Sequence, residues 1–554
     1  MTHSSLDWSM TPPVTRYSAG QQARRQGGLL LNVQVPPARQ ALPTEDVVAW
    51  LQQQIPEPHY GALPPPSGVL KSAHDAAHWL GYWLNRLQRF ASLPVFEAPL
   101  YVPDEDSEQR GQLYLPTYPG SDQATLNLVK WLLTILIHRA DNQALQALMP
   151  QLAGVMQALR ACAPGSANVG RFLYAAFEQR LPVISLGHHQ FQVGIGASQV
   201  RLDSSFTGGT AVMAANLVRN KAATNEFLAQ AGLSIPKQAI LQADSPLDNL
   251  IERLGAPVVC KPMDRDGGQG VHLFIKDHST LQKAVTACLT LSDDVLVQQQ
   301  VTGRDYRLTV YNGECIWAIE RVPAQVVGDG ICSVEALIKQ ENAKPNRAGR
   351  GHSPLKPVPD AQQAQALLQE QGLTASAIPA AGQVVRLSQL PNVAAGGQPF
   401  PMFEQLHPDN AELAALVARL CGLDMAGIDL IMSDITRSWH EVGAWIIEVN
   451  AQPDIGQTTA AHLYGELLQR MLPEAPVLIK RVDTSTQKHW GKGDRVSAGE
   501  RLWHGTAWSD CPESLTMKVA WARQCLLDRA CTAIWLDEAS WEWFRQAATD
   551  LAIQ

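Results

Sequence analysis

Three oxygen-bearing side chains in the second half of the chain are unusual for their surroundings. Asp429 lies inside the apolar run G-I-D-L-I-M (427–432), and Glu448 and Asn450 lie inside W-I-I-E-V-N-A-Q-P (445–453). Side chains alternate along a strand, so Glu448 and Asn450, two residues apart, fall on one face. Carboxylates and an amide embedded in apolar strands are costly unless something cationic pairs with them. Two carboxylates and an amide form an all-oxygen set of the kind Mg2+ takes, with nucleotide phosphates completing the shell. An N-capping carboxylate and a satisfied core asparagine would be the purely structural explanation of the same residues.

A cation and a flexible loop lie upstream, in V-V-C-K-P-M-D-R-D-G-G-Q-G-V (258–271). Val258 and Val259 open a short strand that delivers Lys261 into a proline-stiffened turn. Gly267, Gly268 and Gly270 follow, and such a loop can turn its N–H groups onto an anion. Gly-Gly-x-Gly turns also occur in plain hairpins, so the meaning of this loop depends on its neighbours. Between the two regions run G-R-D-Y-R-L-T-V-Y-N-G-E (303–314) and the segment after it, which place Arg307 and Arg321 on strands flanking an Asn312–Gly313 turn. Two guanidiniums converging on one site suit a transferring phosphoryl group and a carboxylate.

The elements that must position these residues are short strands and helices without strict βαβ alternation, which predicts an α+β fold rather than one doubly wound sheet. Strands are expected at 257–260, 272–275, 295–299, 306–310, 314–321, 384–387, 425–432 and 444–449, and helices at 244–254, 279–290, 333–341, 360–371 and 409–421. A helix carrying Lys221 ends at Gly232. Four regions are expected. Residues 1–115 form an accessory region with a strand at 29–35 and an amphipathic helix at 72–90; residues 116–200 begin with two helices over 122–162, followed by a third and a strand at 181–186; the chemistry occupies 201–475; and 476–554 forms a small appendage of helical period holding Trp490, Trp503, Trp508, Trp521, Trp535, Trp541 and Trp543.

Taken in order, these motifs resemble the ATP-grasp superfamily, and within it the ligase module of cyanophycin synthetase and the related module of bifunctional glutathione synthetases. The resemblance rests on N-K-x-x-T-x-x-x-L (220–228), V-V-C-K-P (258–262), D-G-G-Q-G-V (266–271), G-R-D-Y-R (303–307), R-V-P-A-x-V-V-G-D-G (321–330), N-V-A-A-G-G (392–397), H-P-D-N (407–410), G-L-D-M-A-G-I-D (422–429) and E-V-N-A-x-P (448–453). It covers roughly 200–475, about half of the chain, and extends more weakly over 120–200. It implies two α/β subdomains gripping ATP and an acyl-phosphate route to an amide or peptide bond between an amino acid or short peptide and an amino compound. By the same resemblance Lys221, Lys261, Asp266, Gly267, Gly268, Gly270, Gln298 and Gln299 would bind ATP; Asp429, Glu448 and Asn450 would hold two Mg2+ ions, or Mn2+; Arg307 and Arg321 would steady the acyl phosphate; and Asn392, Gly396, Gly397 and Glu404 would contact substrate.

The chain departs from the family at three places. Gln298-Gln299-Gln300 replaces the usual glutamate of the hinge that reads adenine and ribose. Asp454-Ile455-Gly456-Gln457 replaces glycine and a histidine after Pro453. One carboxylate, Glu404, remains of an acidic pattern near 398–406. No G-x-x-x-x-G-K-[ST] phosphate loop is present, so the second ATP site of cyanophycin synthetases is not expected. Two further readings stay open: a non-catalytic nucleotide- or peptide-binding homologue, and the same activation chemistry applied to a hydroxyl, thiol or polyamine. Arg347 and Arg350 are read as clamping a carboxylate when their loop closes, and Cys260 as a small apolar filler.

Composition narrows the class. A hydrophobic fraction of 45% and a net charge of −8, with no Lys/Arg-rich block, argue for a soluble globular protein and against nucleic acid as principal partner. Nine scattered cysteines without a C-x-x-C pair read as reduced thiols, and no run is long and apolar enough for a signal peptide or a membrane span, so a cytoplasmic location is expected. The partners expected are small amino-acid or peptide substrates and further copies of the chain, as a dimer or tetramer.

Overall fold

The computed structural model describes residues 9–17, 26–35, 50–52, 55, 72–138, 141–187, 189–265, 269–344, 346–347, 355–456, 458–472, 478–481, 524, 527 and 533–536. It divides into two compact units, one of residues 1–204, 350–352 and 462–554, the other of 205–349 and 353–461.

In the first unit the expected amphipathic helix spans Ala73–Phe90 and starts where a capping box says it should: Ser72 Oγ accepts from Asp75 N and Asp75 Oδ2 accepts from Ser72 N. Its neighbour is an antiparallel sheet in the order Ser9–Tyr17, Gly28–Gln34, Ser107–Pro116, Leu100–Asp104. The most apolar run of the chain is a helix, Asp122–Ile137, that buries Leu128, Val129, Leu132, Ile135 and Leu136. No helix of the described residues is long and apolar enough to cross a membrane.

The two helices expected over 122–162 are three segments. Pro150 sits in a 3-10 turn, Met149–Gln151, that separates Asn142–Leu148 from Leu152–Arg160, since proline supplies no N–H for the helical ladder. The Ala167–Glu178 helix packs on Leu463–Met471 through an edge-on Phe172–Tyr464 pair. In the C-terminal appendage the helical expectation fails at A-I-W-L. Ala533–Leu536 is a strand paired in parallel with Leu478–Arg481, as β-branched and aromatic residues favour. The tryptophans of the appendage other than Trp535 lie outside the described residues.

The second unit is mixed α+β, as expected, and every strand pair in it that bears on the site is antiparallel. One sheet has the order His272–Ile275, Val258–Pro262, Val295–Gln299, Gln238–Leu241. One of its faces packs on helices Leu250–Leu254 and His278–Leu289 through Val258, Cys260, Val295 and Val297. The helix expected over 244–254 is only its last turn, because Pro246 and a left-handed Asn249 (φ 54°) interrupt it. A smaller pair of strands, Gln325–Val327 and Val384–Arg386, shares a core with helices Val334–Asn342 and Gln365–Glu370.

The other large sheet has five strands in the order Gln398–Pro401, Glu314–Val322, Arg304–Tyr311, Met425–Met432, Trp445–Asn450. Asn312 and Gly313, with φ of 49° and 77°, make the two-residue turn of its central hairpin. Strand alternation splits the sheet into two chemistries. Tyr306, Leu308 and Val310 face the helix Pro408–Cys421 together with Ile428 and Leu430, and burying each such side chain contributes roughly 1.5–3 kcal/mol. Asp305, Arg307 and Thr309 face the other way, and on the next strand so do Gly427 and Asp429.

Candidate active site

The polar face of the five-stranded sheet is one wall of a cavity of about 950 Å³, and the Lys261 face of the four-stranded sheet is another. Strand register sets the floor. Arg307 lies directly opposite Asp429, and Asp429 directly opposite Glu448, so three charged side chains form a row across three strands. The next row is Thr309, Gly427 and Asn450. Of the residues singled out in the sequence, Lys221, Lys261, Gln298, Gln299, Arg307, Arg321, Asn392, Asp429, Glu448 and Asn450 line this one cavity.

Asp429 is its electrostatic centre. Arg307 Nη1 lies 2.7 Å from Oδ1 and Arg321 Nη2 3.1 Å from Oδ2, so each carboxylate oxygen has its own guanidinium. Burial opposes the charge of Asp429, but the two guanidiniums outweigh it and hold its carboxyl below the ordinary range. Arg321 also binds Asp305 at 2.5 Å, whose carboxyl burial pushes up to about 6 against the pull of that arginine. Lys221 is the first residue of the helix Lys221–Gln230; its Nζ donates to the carbonyl of Arg265 at 2.8 Å and lies 3.3 Å from Glu448 Oε1. The Lys261 ammonium is pulled down to about 8 by desolvation and by Lys221, against the attraction of Glu448 and Asp429.

Several expected residues lie elsewhere. Asp266, Gly267 and Gly268 are outside the described residues. Gly270 (φ 69°) lies off the cavity, against Pro262 and Leu291, where a Cβ would meet Leu291 Cδ1 at 2.8 Å. Gly396, Gly397 and Glu404 do not line the cavity either; Glu404 is exposed. The two glycines form the tight turn behind Asn392, where a Cβ on Gly396 or Gly397 would meet a backbone oxygen, of Pro357 or Asn392, at 2.7 Å. Gln298 lines the cavity, but its amide donates to Gln238, which in turn accepts from Asn225.

Arg347, read from the sequence as a clamp for a carboxylate, is instead buried and committed. Its Nε lies 2.7 Å from Glu341, and its Nη1 donates at 2.8 Å to the carbonyls of Lys356 and Gly396. Arg347→Ala is expected to destabilise the protein by about 2 kcal/mol, because two carbonyls lose their donor and Glu341 keeps only Lys344; thermal unfolding measures it.

Sequence reading passed over Asp305, Trp317, Glu320 and Gly427. Period-two spacing carried the signal for Asp305, which alternates with Arg307, and for Gly427, which alternates with Asp429. Trp317 lines the cavity opposite Thr309, stacks on Phe403 and donates to Thr459 Oγ1 at 3.3 Å.

The residues fit a divalent cation in donor chemistry. Asp429, Glu448 and Asn450 present oxygens on adjacent strands of one face, where Arg307, Arg321 and Lys221 pair with the carboxylates and would have to share them with a cation. No cluster of three or more His, Cys, Asp or Glu suited to a metal occurs among the described residues.

Residues 218–328 match the RimK-like ATP-grasp domain. A cyanophycin synthetase from a Nostoc species is 33% identical over 264 residues, covering 47% of this chain and 29% of that protein. A bifunctional glutathione biosynthesis protein from Mannheimia succiniciproducens is 32% identical over 246 residues, covering 43% of this chain and 32% of that protein. The chain thus matches less than a third of the length of these relatives. A bifunctional glutathione synthetase structure from Pasteurella multocida aligns over 63% of this chain and 52% of its own, with 22% identity and a TM-score of 0.42. The family match, over residues 218–328, is to the ATP-grasp domain that the ordered motifs resemble.

Proposed function

We propose that this ATP-grasp domain works as an ATP-dependent carboxylate–amine ligase that joins an amino acid or short peptide to an amino compound. The observation that carries this reading is the row Arg307–Asp429–Glu448, which faces Lys261 across one cavity. Apolar Val259, Leu273 and Ile447 take the base, and Lys261 and Lys221 receive the phosphates. Asp429, Glu448 and Asn450 would hold Mg2+, which when bound neutralises phosphate charge and aligns the transfer.

In the first step an oxygen of the substrate carboxylate attacks the γ-phosphorus, the bond to ADP breaks, and an acyl phosphate forms. In the second the amine attacks the acyl carbon, gives up a proton, and the carbon–oxygen bond to phosphate breaks. The products are an amide, ADP and phosphate. Arg307 and Arg321 would steady the charge that develops on the acyl phosphate and on the tetrahedral oxyanion, and removing one such donor typically costs 10²–10³ in kcat.

ADP release across a matrix of amino-acid and dipeptide carboxylates and amine acceptors, with mass spectrometry of the products, tests the reading. Condensation products lighter by one water than the summed substrates are expected. ATP binding without any product across the matrix would overturn it, and an ester or thioester would move the chemistry to another nucleophile.

A further inference from the structure

We propose that Gly427 is a positioning residue for Arg307, an inference that places Gly427 in the ligase mechanism only through the preceding reading. A Cβ at this position would lie 2.3 Å from Arg307 Nη2 and 2.4 Å from both Cζ and Nε. Those three atoms belong to one rigid plane, so the guanidinium lies flat on the backbone of Gly427.

The backbone does not itself demand glycine here. Gly427 sits within the strand Met425–Met432, and it is not among the glycines of positive φ. An interior strand glycine weakens a sheet, which makes its place opposite both Thr309 and Asn450 informative. It supplies a slot one side chain deep.

Arg307 is therefore held from two directions. Nη1 is anchored to Asp429 Oδ1 at 2.7 Å, while Nε is buried with no acceptor among the described residues. Packing against the bare strand, and not a hydrogen bond, sets the orientation at the Nε end. Any side chain at 427 lifts the guanidinium from the strand and shifts it off Asp429, so one of the two arginines that meet on that carboxylate leaves its place. Specific close approach is a recurrent reason for glycine in strands.

The test is a double-mutant cycle on the full chain with Gly427→Ala, Arg307→Ala and both together, read by thermal unfolding and by steady-state kinetics. In the otherwise native chain, Gly427→Ala is expected to lower Tm on the order of 5 °C and kcat about 100-fold, with the KM for ATP within about threefold. In the Arg307→Ala background the alanine no longer has a guanidinium to meet, so kcat is expected to stay unchanged and Tm to hold or rise slightly, as replacing an interior strand glycine should. An equal Tm loss in both backgrounds, or native melting and kinetics for Gly427→Ala, would overturn the proposal. If the native chain shows no ligase turnover, the unfolding cycle still decides whether Gly427 positions Arg307, and the missing turnover counts against the ligase reading only.

Discussion

Asp429→Asn is expected to reduce kcat/KM for ATP by about 1000-fold or more while leaving a folded protein. The substitution keeps the size of the side chain and one oxygen acceptor but removes the charge on which two guanidiniums converge. Arg321 retains Asp305, whereas Arg307 loses its carboxylate, and leaving a buried charge unpaired costs about 3–5 kcal/mol. The same change removes one of the two carboxylates proposed to hold Mg2+, so calorimetry should show ATP binding that no longer tightens when Mg2+ is added. Acidification gives a second check. The folded-state carboxyl of Asp429 is held below its ordinary value, so its stabilisation is present above the unfolded pKa and lost as pH falls through the folded one. The stability gap between native and variant protein should therefore be constant near neutrality and close in acid. Asp305 moves the other way: raised to about 6, it makes the folded state bind the extra proton, so this group erodes stability as pH rises from about 4 to 6. Part of that rise comes from the neighbouring charge of Asp429, so in Asp429→Asn the Asp305 midpoint, followed by NMR, should drop. An unchanged midpoint together with native kinetics would sink the role given to Asp429.

How much of this was legible in the sequence follows the range of the signal. The shared face was legible because alternation is local: Glu448 and Asn450 fall on one side whatever their strand pairs with, and a carboxylate inside G-I-D-L-I-M needs a cation, which Arg307 and Arg321 supply. The Asn312–Gly313 turn was legible because two consecutive positive-φ positions favour that dipeptide. Register was not. That Asp429 lies opposite Arg307 on one side and Glu448 on the other depends on how strands far apart in sequence align. The same holds for Arg347: its position in a Gly- and Pro-rich loop suggested a mobile clamp, and only tertiary packing shows its guanidinium bound to carbonyls of residues 356 and 396. Gly427 was hidden for a related reason. Its neighbours give no turn or bulge, and the atoms it makes room for come from residue 307. In the appendage, four residues of strand were masked by a tryptophan-rich segment whose period looked helical, and pairing with Leu478–Arg481 decided their state.

Lys261 carries the other large expected effect, and its signature is pH. Desolvation first, and the nearby Lys221 ammonium second, bring its pKa to about 8, so near pH 7 it is mostly charged and by pH 9 mostly neutral. If it receives nucleotide phosphates, kcat/KM for ATP, which reports the free enzyme, should fall about tenfold per unit above pH 8. The profile of kcat should break at higher pH, because bound phosphate favours the charged lysine. Lys261→Arg, never deprotonated in this range, should remove the break, and Lys261→Met should lose about 100-fold in kcat/KM at neutral pH. Lys221→Met removes one of the charges that depress Lys261 and should move the remaining break upward. Stability runs the opposite way. A lysine whose folded pKa is below its unfolded value makes the folded state release a proton that the unfolded state keeps, so stability rises as pH climbs from about 8 towards 10. The ligand-free protein should therefore melt higher in just the range where it binds ATP less well, and added ATP should erase that rise. A pH profile of kcat/KM that stays flat from 7 to 9.5, with melting equally flat, would remove Lys261 from the phosphate site.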